Sequence, residues 1–381
     1  MTKVHLLTLS TFGFVLAACG GNGGKTDAAV DASAGPPRAV FVAGDFKIGD
    51  PGILSTLDPV TRTVMTNVGP AMAVGDNPSL RHFGNELFII NSNDGNNITI
   101  LDDQTLAFKE QLGTGTGTNP QDVAVLGQKL YVPTFKTKGV TVLTRGSTAT
   151  AEIDLSADDP DGKPNCNSAY LVGTLLYVSC GLLDDANMFA AVRLGKVYVI
   201  DTATDTVKPS LTVTLSHKNP SSLFEQIPAN APHGGDLLIS TSENFTTAPG
   251  CIERIATGTT PSFGGCVVDN AKLGGYATRV DFEIANGLAM VWSAVAIVPY
   301  TGQADLRGYD LMTSALWDAP INPPTEAVGE VVHCPSGQVV VVDSTKNASG
   351  LRVYEDAAKK TTAALPVGLA VVNSPHGLAC Y

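Results

Sequence analysis

A short apolar strand following a glycine recurs along the 381-residue chain at a near-constant interval, and this repeat limits the fold more tightly than any other feature. The strands are Ala39-Val-Phe-Val42, Leu87-Phe-Ile-Ile90, Leu130-Tyr-Val132, Leu175-Leu-Tyr-Val178, Leu237-Leu-Ile239, Ala289-Met-Val-Trp292 and Val339-Val-Val-Val342. Their starts differ by 48, 43, 45, 62, 52 and 50 residues, the length of a four-stranded β-propeller blade with insertions in the middle of the chain. An apolar segment that often opens with Asn or Pro precedes each strand, as at Asn77-Pro78, Asn119-Pro120, Pro164-Asn165, Asn219-Pro220 and Ser374-Pro375. A third strand follows and commonly ends in Asp-x-x-Thr, at Asp58, Asp102, Asp201 and Asp310. An aspartate there accepts hydrogen bonds from amides two or three residues on and closes the turn into an outer strand, which is a structural role.

The two ends of the repeat complete one another. Ser374 to Tyr381 has the character of an innermost strand with nothing after it, and Ala39 to Val42 that of a second strand with no first. The expected fold is therefore all-β, a seven-bladed propeller closed by the C-terminal strand pairing with N-terminal strands, which removes exposed sheet edges. The composition agrees: 39 glycines and 23 prolines, with only 16% charged residues, suit short strands and tight turns rather than long helices. A net charge of -12 disfavours nucleic acid as a partner.

The phrases Asn119-Pro-Gln-Asp-Val-Ala-Val125, Lys129-Leu-Tyr-Val132 and Val197-Tyr-Val-Ile-Asp-Thr-Ala-Thr-Asp-Thr-Val207 resemble the YVTN-type repeats of seven-bladed propellers, a group that includes lactonase-like proteins. The resemblance spans nearly all of residues 38–381 and is strongest in the second to fourth blades. It implies the fold; a propeller hosts unrelated functions.

The first residues give an address. Lys3 precedes an uncharged stretch from Val4 to Ala18, the pattern of a secretory signal and short for a membrane span. Its end, Leu16-Ala17-Ala18-Cys19, resembles the lipobox of bacterial lipoproteins. The resemblance implies that residues 1–18 are a signal peptide and that Cys19 becomes a lipidated N-terminus carrying several acyl chains, palmitate among them, a stable membrane anchor. Residue 20 is glycine rather than the aspartate that retains enteric lipoproteins in the inner membrane, so the outer membrane is the expected destination, on its periplasmic or surface face. Residues 19–37, rich in Gly, Ala, Asp and Ser, read as a tether, and residues 38–381 as the propeller.

With Cys19 assigned to lipid, six cysteines remain in an exported chain, and disulfides are expected. Cys166 begins the first strand of a blade and Cys180 ends its second, so antiparallel pairing sets them side by side. Cys251 and Cys266 bracket a hairpin in the same way. Cys334 and Cys380 end neighbouring inner strands, where a bridge locks the closure. No Cys-x-x-Cys or paired-His spacing supports zinc, and neither a metal nor a cofactor is expected.

Catalytic signatures are scarce. There is no Gly-x-Ser-x-Gly, no His-Glu-x-x-His and no phosphate-binding loop ending in Gly-Lys-Ser/Thr. His376, in Pro375-His-Gly377, opens an innermost strand, and the starts of such strands line one mouth of the central channel. The corresponding positions are Ser79, Gln121, Asn167 and Ser221, a polar set suited to a ligand. Pro-His-Gly also resembles a phrase of virginiamycin-lyase-like propellers, which implies an axial catalytic histidine; the second histidine with a carboxylate is missing here. Two readings follow: an envelope binding or scaffolding module that takes a protein or a small-molecule or saccharide ligand, and a lactonase- or lyase-like enzyme using His376 as base. Insertions are expected at Leu182 to Leu194 and Glu225 to Gly235.

Overall fold

The strands that sit second and third in each repeat are unbroken apolar runs because neighbouring sheets cover both of their faces, so polar alternation is not needed. The structure, a computed structural model, describes residues 37–47, 49–243, 249–285, 288–298, 303–316, 328–345, 347–355, 364–369 and 376–381, with side chains at 283–305 outside that description. The expected signal peptide, Cys19 and nearly all of the expected tether lie outside the described residues.

In chain order the strands fall into sheets as the repeat predicts. The first holds β1 (Ala39–Ala43), β2 (Ile53–Asp58) and β3 (Thr63–Met65). The second holds β4 (Pro78–Phe83), β5 (Glu86–Asn91), β6 (Asn97–Asp102) and β7 (Phe108–Gly113). The third holds β8 (Ala124–Leu126), β9 (Lys129–Pro133), β10 (Gly139–Thr144) and β11 (Thr150–Asp154). The fourth has five strands, β12 (Cys166–Val172), β13 (Leu175–Cys180), β14 (Leu194–Asp201), β15 (Thr206–Val207) and β16 (Val213–Lys218). The fifth holds β17 (Glu225–Gln226), β18 (Leu237–Ser242), β19 (Gly250–Ala256) and β20 (Ser262–Asp269). The sixth holds β21 (Tyr276–Ala285), β22 (Leu288–Val298), β23 (Gln303–Asp310) and β24 (Ala315–Leu316). The last sheet holds β25 (Val328–His333), β26 (Gln338–Asp343) and β27 (Gly350–Glu355). The final strand, β28 (His376–Cys380), returns to the first sheet and pairs antiparallel with β1, with Phe41 opposite Leu378.

The expected count of seven four-stranded blades is corrected to six. The sheet of β25–β27 has three strands among the described residues. Its fourth position is a single bridge, in which Leu351 and Leu365 exchange backbone hydrogen bonds of 2.9 and 2.7 Å. Pro366 follows at once and has no N–H with which to extend a ladder. Gly350 lets that bridge approach, since a β-carbon there would lie 2.1 Å from the Leu365 carbonyl oxygen.

The core consists of layers between successive sheets rather than one central mass. Val40, Val42 and Leu54 of the first sheet interleave with Leu80, Leu87 and Ile89 of the second. Phe88 and Ile90 meet Leu130 and Val132, and Tyr131 and Val142 meet Leu176 and Val178. The layers continue through Tyr177 against Phe224 and Ile239, and Ile227 and Leu238 against Val280 and Phe282. Val340 and Val342 against Ala39 and Phe41 bring the series back to the first sheet. Such a cycle of pairwise layers is an all-β, propeller-like architecture.

The turn aspartates have the expected role. Asp58 accepts from the amides of Val60 and Thr61, both at 2.9 Å, and Asp102 from Gln104 and Thr105 at 3.2 and 2.9 Å. The Thr105 amide and hydroxyl hold the Asp102 carboxyl down to about 2. All three expected disulfides are present: Cys166–Cys180, Cys251–Cys266 and Cys334–Cys380.

Candidate functional site

The starts of the innermost strands carry the residues expected at the channel mouth, and two of them, Ser79 and Asn167, bond across to a neighbouring blade. Ser79 Oγ donates to the Gln121 carbonyl at 3.3 Å, and Asn167 Nδ2 to the Ser222 carbonyl at 3.0 Å. The Gln121 side chain turns back on the carbonyls of Asn119 and Pro120, at 3.1 and 3.3 Å. Ser221 Oγ is buried without a hydrogen-bond partner. His376 opens β28 opposite Ala43, with its ring centroid 6.0 Å from that of Phe41. Its imidazole lies on β25: a β-carbon at Gly329 would fall 2.1 Å from His376 Nε2 and 2.3 Å from Cε1. The glycine is therefore what admits the ring.

Farther along the same strands a set of charged side chains meets. Arg81 of β4 forms a two-point ion pair with Asp122, Nε to Oδ1 at 2.7 Å and Nη2 to Oδ2 at 2.8 Å, the geometry in which a guanidinium binds a carboxylate best. Asp122, fully buried, also accepts from the Val123 amide, the Ser168 hydroxyl and the Ala169 amide at 2.8, 2.8 and 3.0 Å. Ser168 Oγ in turn accepts the Phe224 amide at 2.8 Å, so one chain of bonds joins four successive blades. Asp281 of β21 repeats the Asp122 device: it accepts from the next residue, Phe282, at 2.7 Å and from the His333 amide of the neighbouring β25.

Glu225 of β17 lies within reach of the charges of several of these groups. Burial raises its carboxyl above the usual range, Arg279 and Arg81 pull it back, and Asp122 pushes it further up. Arg81 and Asp122 belong to the second and third blades, Glu225 to the fifth and Arg279 to the sixth, so charges from four blades act on one another. Asp281 is pushed up to about 8, first by burial and then by the charge of Glu225, against the pull of its two amide donors and Arg279. As whole residues Glu225 and Asp281 are half-buried. Tyr170 of β12 lies beside Arg81 and Glu225, and Arg279 Nε stands 3.4 Å from Glu330 Oε2 of β25.

This set was absent from the residues chosen on sequence. Its members come from five sheets and share no local motif. The available signal was a charge inside an innermost strand, at Arg81, Glu225, Arg279, Asp281 and Glu330, in a chain with few charges to place. Glu225, expected to open an insertion, instead begins the innermost strand of its blade. The other expected insertion, residues 182–194, is an extended loop that exposes Met188, Phe189, Val192 and Leu194, with Phe189 tilted against Phe135 at 5.5 Å. Among the described residues no group of three or more His, Cys, Asp or Glu is placed to hold a metal ion. A depression of about 370 Å³ lined by Glu110, Gln111, Leu143, Ser147 and Thr150 lies at the outer strands, away from the axis.

No protein-family model matches the chain, and no curated protein matches it in sequence. Solved structures do. A Bacteroides uniformis protein proposed to be a 6-phosphogluconolactonase superposes with a TM-score of 0.60 at 10% identity, covering 91% of this chain and 100% of that one. A Lactobacillus plantarum protein gives 0.58 at 14% identity, over 91% and 99%. Apo AztD from Citrobacter koseri gives 0.53 at 12% identity, over 87% and 84%. At such identities the likeness is one of fold, and the chain shares the propeller-like architecture of these proteins.

Proposed function

We propose that the protein is a binding module of the bacterial cell envelope, tethered through a lipid on Cys19, whose propeller of residues 38–381 holds a small polar ligand in its central channel. The observation that supports a channel site is the mutual influence of the charges of Arg81, Asp122, Glu225, Arg279 and Asp281, which come from the innermost segments of different blades. A few fixed polar groups in a concave, rigid setting are what a ligand site requires. Three disulfides fit an oxidising compartment and so support export. The YVTN-like reading of the repeats belongs to this proposal.

The imidazole of His376 rests on Gly329, which favours binding over a reaction with that histidine as base. The test uses the full-length protein expressed in a bacterium and purified in detergent. Labelled palmitate is expected to enter the wild type and not Cys19→Ser. A panel of saccharides, amino acids and organic acids is expected to contain a compound that raises the melting temperature of the wild type and not of Glu225→Gln with Asp281→Asn. Equal labelling of Cys19→Ser overturns the anchor. Stabilisation by no compound overturns the channel site, and turnover of a lactone panel that His376→Ala abolishes establishes the enzymatic reading in its place.

A further inference from the structure

The three disulfides differ in their access to solvent. Cys166, Cys180 and Cys334 are buried and Cys380 is half-buried, whereas Cys266, on the outermost strand β20, is exposed, with its partner Cys251 buried on β19. An exposed bridge is the kind that exchanges with thiols, because an incoming sulfur can reach it. The ladder around Cys266 is also broken. The register of β19 and β20 shifts between Ile252 and Glu253 and again between Arg254 and Ile255, so this stretch is an interrupted edge rather than a regular one.

A histidine–carboxylate pair stands beside the bridge. Cys251 and Glu253 are two apart on β19 and share a face, and Glu253 is the register partner of Cys266. Such cross-strand partners have Cβ atoms about 5 Å apart. Glu253 is fully buried and accepts from the amides of Ser216 and His217 at 3.0 and 3.1 Å and from the Thr241 hydroxyl at 3.0 Å. It also lies 3.0 Å from His217 Nδ1, so that nitrogen carries the proton and Nε2 the lone pair. The His217 side chain is 25% exposed, on β16, which packs against both β19 and β20.

We propose that the Cys251–Cys266 bridge is a thiol–disulfide exchange site that oxidises small thiols, with His217 as the proton acceptor. The site is separate from the channel, between the outer strands of the fourth and fifth blades. An incoming thiol gives its proton to His217 Nε2, and its sulfur bonds to the exposed Cys266 Sγ. The electron pair of the broken S–S bond passes to the Cys251 sulfur, which then takes the proton from the imidazolium. A second thiol attacks the sulfur bound to Cys266; a small disulfide leaves, and Cys266 keeps that thiol's proton. Two thiols thereby lose two electrons and two protons, and the bridge becomes two thiols. The buried carboxylate of Glu253 orients the ring and stabilises its charge while it holds the proton.

The probe is reduced glutathione, added to the full-length oxidised protein under native conditions; free thiols are then alkylated and the labelled cysteines identified by mass spectrometry. Cys251 and Cys266 are expected to label about tenfold faster than the other four bridged cysteines, with the first glutathione adduct on Cys266 and the circular dichroism spectrum unchanged. His217→Gln is expected to slow this pair about fivefold at pH 7 and to leave the other two bridges alone. That difference is expected to vanish above about pH 9, where thiols are already ionised and need no proton acceptor. In Cys251→Ser, oxidised glutathione is expected to form a mixed disulfide at Cys266. Labelling of Cys334 and Cys380 as fast as that of Cys251 and Cys266 overturns the proposal, as does loss of the fold on reduction or failure of Cys266 to take glutathione. Equal rates in wild type and His217→Gln at pH 7 overturn the part given to the histidine.

Discussion

The ring of Tyr381 stacks on that of His82, with centroids 4.0 Å apart and planes 16° from parallel. His82 Nε2 reaches Asp103 Oδ2 at 3.0 Å, and Tyr381 Oη donates to the Asp103 carbonyl at 2.7 Å. Arg38 joins the same group: its amide and carbonyl pair with those of Tyr381 at 2.9 and 3.0 Å, and its Nη1 donates to the carbonyls of Asp103 and Gln104. Tyr381 is thus fastened both to Arg38, the residue before β1, and to the second blade.

Truncating that ring removes a buried aromatic at the closure. Tyr381→Ala is expected to destabilise the fold by about 3 kcal/mol, and Tyr381→Phe, which loses only the hydroxyl, by about 1 kcal/mol. Urea midpoints measure both. Equal effects would show that the stack contributes nothing beyond the hydrogen bond.

The bridge between β25 and β28 links residues 46 apart in sequence, against 14 and 15 for the two hairpin bridges. A longer closed loop restricts the unfolded chain more. Replacing Cys334 and Cys380 by serine is expected to cost about 4 kcal/mol, more than removal of either other pair, as read from thermal melts of the three double variants.

Gly329 and His376 form a pair that a double-mutant cycle resolves. Gly329→Ala drives a methyl group into the imidazole and is expected to cost about 1–3 kcal/mol. In a His376→Ala background the same change is expected to cost much less, because the clash is gone. Additive effects would place the ring elsewhere.

Asp281 sets a pH dependence whose sign follows from its raised value. Between the ordinary 3.8 and about 8 the folded protein keeps a proton that the unfolded chain has released. The folded state then binds more protons, so stability falls as pH rises through that window, by up to about 1.4 kcal/mol per pH unit for one proton. The contribution is complete below about pH 4 and lost by pH 8. Asp281→Asn is expected to flatten this part of the stability curve, measured by urea denaturation from pH 5 to 8.5.

Arg81→Met leaves Asp122 buried beside its three neutral donors but without its counter-charge. A loss of about 3–5 kcal/mol is expected, and Arg81→Lys recovers only part of it, since an ammonium cannot reproduce the two-point contact. Chemical denaturation of both variants checks this.

The architecture was legible because its causes are local and repeated. Each run such as Leu87 to Ile90 is apolar on successive residues, so a sheet covered on both faces can be read from a few letters. The cysteines were legible for a related reason: Cys166 and Cys180 flank one hairpin, and strand pairing then fixes their register. The reduced last sheet was not, because Val339 to Val342 and Leu351 to Tyr354 look like any other blade, and the single bridge at Leu365 depends on the proline after it. The channel charges were illegible in a different way. Arg81 and Glu225 are 144 positions apart and meet only once the ring closes. The mouth residues Ser79 and Asn167 were recognised as polar groups at strand starts, but whether such a group faces solvent or a neighbouring carbonyl is decided by how adjacent blades are offset.

The pairing of β1 with β28 also bears on the order in which the molecule is assembled. Until the residues of β28 and Tyr381 have been made, β1 has no inner partner and the second blade lacks the aromatic cover over His82. A chain made only as far as β27 is therefore still open at its first sheet, which no N-terminal fragment can complete alone.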